Sequence, residues 1–331
     1  MDRAIGLFAD KVRSTFRPEV ISDIGAFGGL FAIEAARYRQ PVLVASTDGV
    51  GTKSLISQSM GIHNTIGYDL VAHCTNDIAV TGAEPLFFLD CITVEKVVEE
   101  TIAEIVEGMV VACKEAGCAL IGGEIAEHPG HLSAGTYDLS GTCIGVVERD
   151  AIIDGSTVAP GDVVVGIESS GLQTNGYSMA RKVLLEDMGH LLDDQPDELR
   201  DTIGEELLRP SILYAPALGE LTNSVRVNAM AHITGGGVPG NLSRVIPEGL
   251  QAIIERDAWE VPPIFRLIER LGNVDEEEMF NVFNMGIGLV ALISPDDANK
   301  ALDLIRGRGH RAHEIGLISG AGADDSKVKL V

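Results

Sequence analysis

Long apolar runs are missing from this chain. None of its hydrophobic stretches approaches the roughly 20 residues that a helix needs to cross a bilayer. The N-terminus, Met-Asp-Arg-Ala-Ile-Gly-Leu-Phe, also lacks the apolar core of a secretory signal peptide. We therefore expect a cytoplasmic protein with no membrane partner.

Cysteine and basic residues are scarce. The five cysteines form no CxxC pair and are odd in number, which indicates reduced thiols and excludes a zinc site of the usual spacing. Lysine and arginine total 25 against 49 acidic residues, a net charge of −24. Such a chain repels the phosphates of nucleic acid. An anionic substrate would need a local lysine, arginine, metal ion or cluster of backbone N–H groups.

Two common catalytic motifs are absent as well. No Walker A sequence is present, which excludes a P-loop NTPase, and no G-x-S-x-G elbow supports a serine nucleophile. The eight histidines are scattered. Among them, His232 stands out because it ends a predicted strand beside a glycine-rich loop.

The pattern that is present is α/β throughout. In the first half it predicts helices at about 3–15, 65–81 and 97–116, and strands at 42–45, 86–91, 119–121 and 137–148. Residues 149–161 read as a connector, and strands and helices alternate again from residue 162. We therefore predict two α/β domains, 1–150 and 151–331. The acidic stretch 187–209 is predicted to be an exposed insertion.

The predicted helix 65–81 carries an unusual polar face. Asp69, His73, Asn76 and Asp77 are spaced so that they lie on one side of the helix. Carboxylates, an amide and an imidazole together could hold a hard cation such as Mg²⁺. The alternative is an ordinary solvated face, which is common in so acidic a chain.

A second polar element follows the first predicted strand. The sequence Asp48-Gly-Val-Gly-Thr-Lys53 places an acid and a lysine around a turn. This arrangement suits a metal ligand and a phosphate-binding lysine. A solvated hairpin turn is the alternative.

Three glycine-rich loops favour phosphorylated ligands, because glycine lets backbone N–H groups approach a phosphate closely. Each loop could also be a simple turn. The first contains Gly25, Gly28 and Gly29; the second contains Ser170, Gln173, Thr174, Asn175 and Gly176; the third contains Thr234, Gly235 and Gly236 after His232.

The third loop also fits the dinucleotide pattern G-x-G-x-x-G over residues 235–240, with Glu255 about 20 residues on. However, Pro239 and Pro247 leave room for barely two helical turns before the next strand. A βαβ crossover needs a longer helix. The sequence therefore argues against a Rossmann unit.

Taken in order, five motifs resemble the aminoimidazole ribonucleotide synthetase (phosphoribosylformylglycinamidine cyclo-ligase) family. They are Ser-Thr-Asp48-Gly-Val-Gly-Thr-Lys53, Asn76-Asp77-x4-Gly-Ala-Glu-Pro, Gly-Gly-Glu124-x-Ala-Glu-x-Pro-Gly, Asn175-Gly-Tyr-Ser and His232-x-Thr-Gly-Gly-Gly. The likeness runs from about Arg17 to the C-terminus. The Asp-x4-Gly-Ala-x-Pro element alone marks a wider superfamily that includes thiamine-monophosphate kinase and a hydrogenase maturation factor.

The resemblance implies a reaction and a site. ATP, with Mg²⁺, would activate the formyl oxygen of formylglycinamidine ribonucleotide as a phosphate ester, and ring closure would give aminoimidazole ribonucleotide for purine biosynthesis. The implied roles are catalysis by Lys53, His232 and Gln173; ATP or phosphate binding by Gly25, Gly28, Gly29, Lys53, Asn76, Thr234, Gly235 and Gly236; substrate binding by Ser170, Thr174, Asn175 and Gly176; and Mg²⁺ binding by Asp48, Asp69, Asp77 and Glu124.

The resemblance also implies a homodimer whose N-terminal sheets pair, followed by a C-terminal α/β sandwich. The apolar strands 42–45 and 86–91 are consistent with this, because both of their faces should be covered. A second subunit could cover them, and so could helices of the same chain.

Three features depart from the family pattern. The family's usual Tyr-x-x-Ala-Gly-Val-Asp segment precedes the point where this sequence starts, Gln173 stands where histidine is usual, and Ile125 replaces a threonine. Glutamine can hydrogen-bond a substrate but cannot act as a general acid or base. A diverged paralogue, either kinase-like or only nucleotide-binding, is therefore the alternative.

Overall fold

The computed structural model describes residues 2–34, 36–320 and 326–331. The chain divides into two compact units, one of Met1–Ala79 with Ala83–Ala151 and one of Val80–Gly82 with Ile152–Val331. Each unit has its own sheet. The mixed α/β class predicted from the alternation is confirmed. Among the described helices, none is long and apolar enough to cross a membrane.

The N-terminal unit is built on a four-stranded sheet of order β1-β4-β2-β3. Strand β4 pairs antiparallel with β1 and β2, and β3 runs parallel to β2 after the crossover helix α4. The elements are α1 (Asp2–Arg13), β1 (Pro41–Gly49), α2 (Lys53–Met60), α3 (Asn64–Ala79), β2 (Glu84–Val94), α4 (Glu99–Ala116), β3 (Ala119–Glu127) and β4 (Tyr137–Glu148).

Helices α3 and α4 pack against each other and against one face of this sheet. Two glycines allow their close approach. A Cβ on Gly67 would lie 1.9 Å from the carbonyl oxygen of Ile105, and one on Gly108 would lie 1.8 Å from that of Asn64. The opposite face of the sheet is more open, and Leu43 on β1 is 58% exposed there.

The C-terminal unit holds a six-stranded mixed sheet of order β10-β7-β9-β5-β8-β6. All strand pairs are antiparallel except β10 with β7. The elements are β5 (Val163–Glu168), α5 (Tyr177–Arg181) continuing as a π-helical turn (Lys182–Asp187), α6 (Ile203–Leu208), α7 (Ala215–Ser224), β6 (Val227–His232), α8 (Gly237–Leu242), β7 (Leu250–Ile254), α9 (Pro263–Gly272), α10 (Glu276–Val282), β8 (Ile287–Ile293), α11 (Ala298–Gly307), β9 (Ala312–Gly320) and β10 (Val328–Leu330).

The strand order shows that the G-x-G-x-x-G sequence does not form a dinucleotide-binding βαβ unit. Strands β6 and β7, which flank the G-x-G-x-x-G sequence, lie at separate places in the sheet, with β8, β5 and β9 between them. The helix between them, α8, has only six residues. The segment is therefore no βαβ unit, as the two prolines had indicated.

Two local expectations need correction. Strand β1 extends through Gly49, so Asp48 lies within the strand and pairs with Gly141 instead of sitting in a turn. The stretch 187–209 is only partly an exposed insertion, because Ile203 and Leu207 of α6 are fully buried. A capping box between Thr202 and Glu205 starts that helix.

Candidate functional site

An acid–imidazole patch lies between β1 and α3 of the N-terminal unit. Alternation along β1 points Ser46 and Asp48 toward α3, and the i, i+4 spacing of His73 and Asp77 points both toward β1. The His73 Nε2 atom lies 2.8 Å from a carboxylate oxygen of Asp48, and the Ser46 hydroxyl donates to Asp77 at 3.0 Å. A ring nitrogen of His73 and a carboxylate oxygen of Asp77 lie within 4.8 Å. Strand and helix thus place the predicted groups together.

This polar face is not solvated. His73 is 5% exposed, and Asp69 and Asn76 are fully buried. Burial by itself lowers the pKa of His73, but the hydrogen bond and charge of Asp48, with the charges of Asp77 and Asp69, outweigh it and raise the pKa above its usual 6.5. The patch therefore concentrates negative charge that a cation can neutralise.

The other two predicted metal ligands, Asp69 and Glu124, do not join Asp48 and Asp77. Asp69 forms a buried ion pair with Lys53 at 2.7 Å. Glu124 aligns across the sheet with Cys91, Ser140 and Gly49, one residue along from the row that contains Asp48. Successive strand residues point to opposite faces, so Glu124 faces away from Asp48 and is three strands distant, about 14 Å. Within one chain, Glu124 does not converge with Asp48 and Asp77 as expected.

Glu124 instead joins the first glycine-rich loop. Gly25, Gly28 and Gly29 line a cavity of about 570 Å³ together with Gly122, Gly123 and Glu124 of β3. Apolar walls come from α1, α4 and β3; they include Ile5, Phe8, Val12, Val106 and Leu120. Two acids, Asp23 and Asp90, also line the cavity. The structure therefore brings two predicted motifs, the loop and the Gly-Gly-Glu sequence, around one space.

Asp90 is a cavity residue that the sequence analysis did not select. A Cβ on Gly123 would lie 2.2 Å from the Asp90 carboxylate, which packs directly over that glycine. Burial, reinforced by the charge of Glu124, raises the pKa of Asp90 to about 7, although a backbone hydrogen bond lowers it in part. The available signal was an acid within the apolar run Leu86–Leu89 and Cys91–Ile92, where an unpaired carboxylate is costly.

In the C-terminal unit the second and third glycine-rich loops meet. A Cβ on Gly235 would lie 3.3 Å from the side-chain oxygen of Asn175. Asn175 also donates to the Thr174 hydroxyl at 3.2 Å. Gly176 needs its glycine, because its φ is +80° and a Cβ would lie 2.2 Å from the Phe283 ring. The predicted residues Thr174, Asn175, Gly176 and Gly235 thus form one group.

The third loop is fixed by Asn241. Its amide donates to the carbonyl oxygens of Thr234, Gly235 and Gly237 at 3.2, 3.3 and 2.8 Å. Gly236 adopts a φ of +97° just before α8. His232 ends β6, is 8% exposed and lies with its ring centroid 6.4 Å from that of Tyr214.

Asn284 fixes the second loop in the way that Asn241 fixes the third. The sequence analysis selected neither asparagine. Its amide donates to the carbonyl of Gly171 at 2.8 Å, and its oxygen accepts from the Ser169 hydroxyl at 3.0 Å and the Gly286 N–H at 2.8 Å. Both asparagines are 3% exposed. Asparagines close to glycine residues were the available signal, because an amide that becomes buried must find hydrogen-bond partners.

Solved structures of other proteins share this fold. Thiamine-monophosphate kinase from Stenotrophomonas maltophilia K279a superposes with a TM-score of 0.72 at 18% identity, covering 98% of this chain and 95% of that one. The hydrogenase maturation protein HypE in complex with ATP superposes with a TM-score of 0.68 at 19% identity, covering 98% and 90%. At such identities the likeness shows the fold alone.

Sequence comparison is far more specific. The models of the N-terminal and C-terminal domains of AIR synthase related proteins match residues 34–147 and 159–329. Phosphoribosylformylglycinamidine cyclo-ligase from Myxococcus xanthus (strain DK1622) is 50% identical over 304 residues, 92% of this chain and 88% of the relative. The enzyme of that name from Thermodesulfovibrio yellowstonii is 47% identical over 329 residues, 99% of this chain and 96% of the relative. The resemblance seen in the motifs is confirmed, and the chain belongs to the phosphoribosylformylglycinamidine cyclo-ligase family.

Proposed function

We propose that this protein is an ATP-dependent ligase that closes the imidazole ring of aminoimidazole ribonucleotide from formylglycinamidine ribonucleotide, a step of purine biosynthesis. The observation that carries the proposal is near half identity to cyclo-ligases over almost the whole chain. These relatives do not favour a kinase-like or merely nucleotide-binding paralogue. The site residues have the chemistry that the reaction demands.

The cavity of the N-terminal unit is the proposed ATP site. Its apolar walls suit a purine base, and the backbone N–H groups of Gly25, Gly28 and Gly29 suit its phosphates. Asn76 and Lys53 are the further predicted ATP contacts; both are buried. We thus assign ATP and metal binding to residues 1–150.

Carboxylates provide the proposed Mg²⁺ ligands. Two separate groups supply oxygen donors: Asp48 with Asp77 in the patch, and Asp90 with Glu124 at the ATP cavity. Each group has the hard oxygen donors that suit a divalent cation. When bound, Mg²⁺ would neutralise charge on the phosphates during transfer. Asp69 was also predicted to bind Mg²⁺, but its carboxylate forms an ion pair with Lys53.

The C-terminal unit, residues 151–331, supplies the proposed substrate contacts. Ser170, Thr174 and Asn175 offer hydroxyl and amide groups, and the loop around Gly235 and Gly236 offers N–H groups to a ribose phosphate. His232 lies at the start of the third loop as the candidate proton carrier.

Catalysis in this scheme is mainly alignment. Transfer of the γ-phosphate to the formyl oxygen makes that carbon electrophilic; a nitrogen of the substrate then attacks it, and inorganic phosphate leaves. The protein must neutralise two polyanions, align the reacting oxygen with the phosphate and exclude water from the activated ester. Oriented N–H donors and the carboxylates of the patch and the cavity serve these tasks.

The quaternary state that we propose is a homodimer formed through the open face of the N-terminal sheet. This face carries apolar side chains from three strands, among them Leu43, Phe87 and Leu89, and Leu43 is 58% exposed. Among the described residues, helices α3 and α4 pack on the opposite face. A second copy of the sheet would cover these side chains, in a protein that we place in the cytoplasm.

One assay tests the proposed function. The protein is incubated with ATP, Mg²⁺ and formylglycinamidine ribonucleotide, and the products are identified by mass spectrometry. We expect aminoimidazole ribonucleotide, ADP and phosphate in equal amounts. A stable phosphorylated product would indicate a kinase, and nucleotide binding without turnover would indicate a binding protein; either result contradicts the proposal.

A further inference from the structure

Hydrogen bonds join residues 168–177 to the segment 207–214, which we call the strap. Tyr214 donates its hydroxyl to the Glu168 carbonyl at 2.8 Å, Ser170 to the Pro210 carbonyl at 2.6 Å and Tyr177 to the Leu207 carbonyl at 2.6 Å, and the Ile212 N–H donates to the Gln173 side-chain oxygen at 3.2 Å. The bonds are spread along the whole loop 169–176. The strap therefore holds this loop from one side.

Gln173 makes the central bond. The residue is 4% exposed, and its Nε2 atom is buried without a hydrogen-bond partner among the described residues. The space around the carboxamide is closed: a Cβ on Gly288 of β8 would lie 2.7 Å from that Nε2 and 2.1 Å from the Tyr214 hydroxyl. The amide faces the sheet and the strap.

The backbone at this position is also unusual. Gln173 has a φ of +62°, in the left-handed region that non-glycine residues rarely adopt. Such a conformation persists only where surrounding contacts impose it. The bond to Ile212 is the contact that fixes this side chain.

We infer that Gln173 is a positioning residue, which ties the loop to the strap and so sets the placement of Thr174 and Asn175, instead of contacting substrate itself. The inference rests on the proposed function of this loop in binding the substrate. It revises the catalytic role that the sequence analysis gave to Gln173. The side-chain oxygen already accepts from the Ile212 N–H, and the carboxamide is 4% exposed and packs beside Gly288 of β8.

The start of the loop has its own anchor. Asn284 is hydrogen-bonded to Ser169 and Gly171, so the start of the loop should stay in place when Gln173 is changed. Loss of the Gln173 bond should therefore release the second half of the loop, where Thr174 and Asn175 lie, without unfolding the unit. The expected effect falls on substrate binding alone.

The kinetic test compares Q173A, Q173H and the control Q251A. Gln251 of β7 is also buried and also makes a side-chain hydrogen bond, to Ser326, in the same unit. Q173A should raise the KM for the ribonucleotide about tenfold, the scale of one hydrogen bond, and leave the KM for ATP unchanged.

Q173H should restore the wild-type KM, because an imidazole nitrogen can accept the Ile212 N–H, and its rate should follow the wild-type pH profile between pH 6 and 8. Q251A should keep both KM values.

Two kinetic results overturn the inference. One is an unchanged ribonucleotide KM in Q173A. The other is a faster Q173H enzyme with a new inflection near pH 6.5, since that would place the side chain at the reacting atoms as a general base.

Hydrogen exchange without substrate separates this inference from the proposed function. Amide exchange of the strap should be faster in Q173A than in wild type or Q251A. If the wild type shows no turnover, the proposed function fails, and hydrogen exchange alone tests the inference. Faster strap exchange in Q173A only would support the contact between Gln173 and the strap. Unchanged exchange would overturn it.

Discussion

The Lys53 ammonium lies 2.7 Å from the Asp69 carboxylate, and neither side chain is exposed. Burial, the dominant influence, lowers the pKa of Lys53, and the charge and hydrogen bond of Asp69 oppose it only in part. Lys53 begins α2 and Asp69 lies in α3, so the pair links two helices. Sequence reasoning assigned Lys53 to phosphate and Asp69 to metal, whereas here each neutralises the other.

The first prediction concerns this pair. K53M should lower the free energy of unfolding by about 3–5 kcal/mol, because it leaves the Asp69 charge buried and uncompensated. The double variant K53M/D69L should recover much of that loss. Urea denaturation measures both. The exposed pair Lys11–Glu107 provides the control, since K11M should cost less than about 1 kcal/mol.

The double variant also tests the phosphate role of Lys53. If the folded double variant keeps the wild-type KM for ATP, Lys53 does not bind phosphate. A raised KM at recovered stability would support the role.

Sequence periodicity located most of the strands and longer helices, because apolar spacing reflects which face each element buries. It missed short elements such as α8 and α10, in which six or seven residues carry too little pattern. It also misjudged α6, whose start is marked by the Thr202–Glu205 capping box within an acidic stretch.

The site was predictable in composition but not in arrangement. The spacing of His73 and Asp77 on one helix gave their common face directly, as the structure confirms. The face and distance of Glu124 depend on strand order and register, which arise from contacts far apart in sequence. Asp90 and the contact of Gln173 with Ile212 escaped for the same reason: the environments that define these side chains come from remote segments.

The second prediction tests the ATP cavity through Gly123. Its Cβ would lie 2.2 Å from the Asp90 carboxylate, so G123A must displace that group. We expect ATP affinity, measured by calorimetry, to fall at least about tenfold, which is the effect of losing one or two hydrogen bonds. G219A is the control, because a Cβ there meets nothing within 4 Å. Unchanged affinity in G123A would remove Asp90 from the proposed site.

The third prediction concerns metal dependence. Chelation with EDTA should abolish turnover, and added Mg²⁺ should restore it. D77N removes one charged oxygen donor, so the Mg²⁺ concentration for half-maximal rate should rise about ten- to a hundredfold. The exposed acid Asp303 of α11 gives the matched control D303N. Equal Mg²⁺ curves for D77N and wild type would exclude Asp77 as a ligand.

The fourth prediction addresses the dimer. L43E places a charge on the open face of the N-terminal sheet, where Leu43 is already exposed enough for the fold to tolerate it. A buried charge at an interface is costly, so L43E should shift the mass in light scattering from about twice 35.1 kDa to 35.1 kDa. L317E, at a similarly exposed leucine of β9, should leave the mass unchanged. A monomeric wild type would contradict the proposed dimer outright.

The last prediction is a pH dependence of stability at His63. Its Nδ1 lies 3.0 Å from the Tyr137 hydroxyl, which in turn lies 2.6 Å from the Ser57 hydroxyl. Burial lowers the pKa of His63 below 6.5, although the charge of Glu104 raises it in part. The unfolded chain therefore binds the proton more readily than the folded one, so stability is lost as the pH falls below 6.5 toward the folded pKa.

In urea denaturation between pH 7.5 and 5, the unfolding free energy of the wild type should fall more steeply than that of H63Q. Y137F keeps the imidazole and most of its burial, so it should retain the wild-type slope. Parallel curves for H63Q and wild type would show that His63 does not contribute to the acid sensitivity.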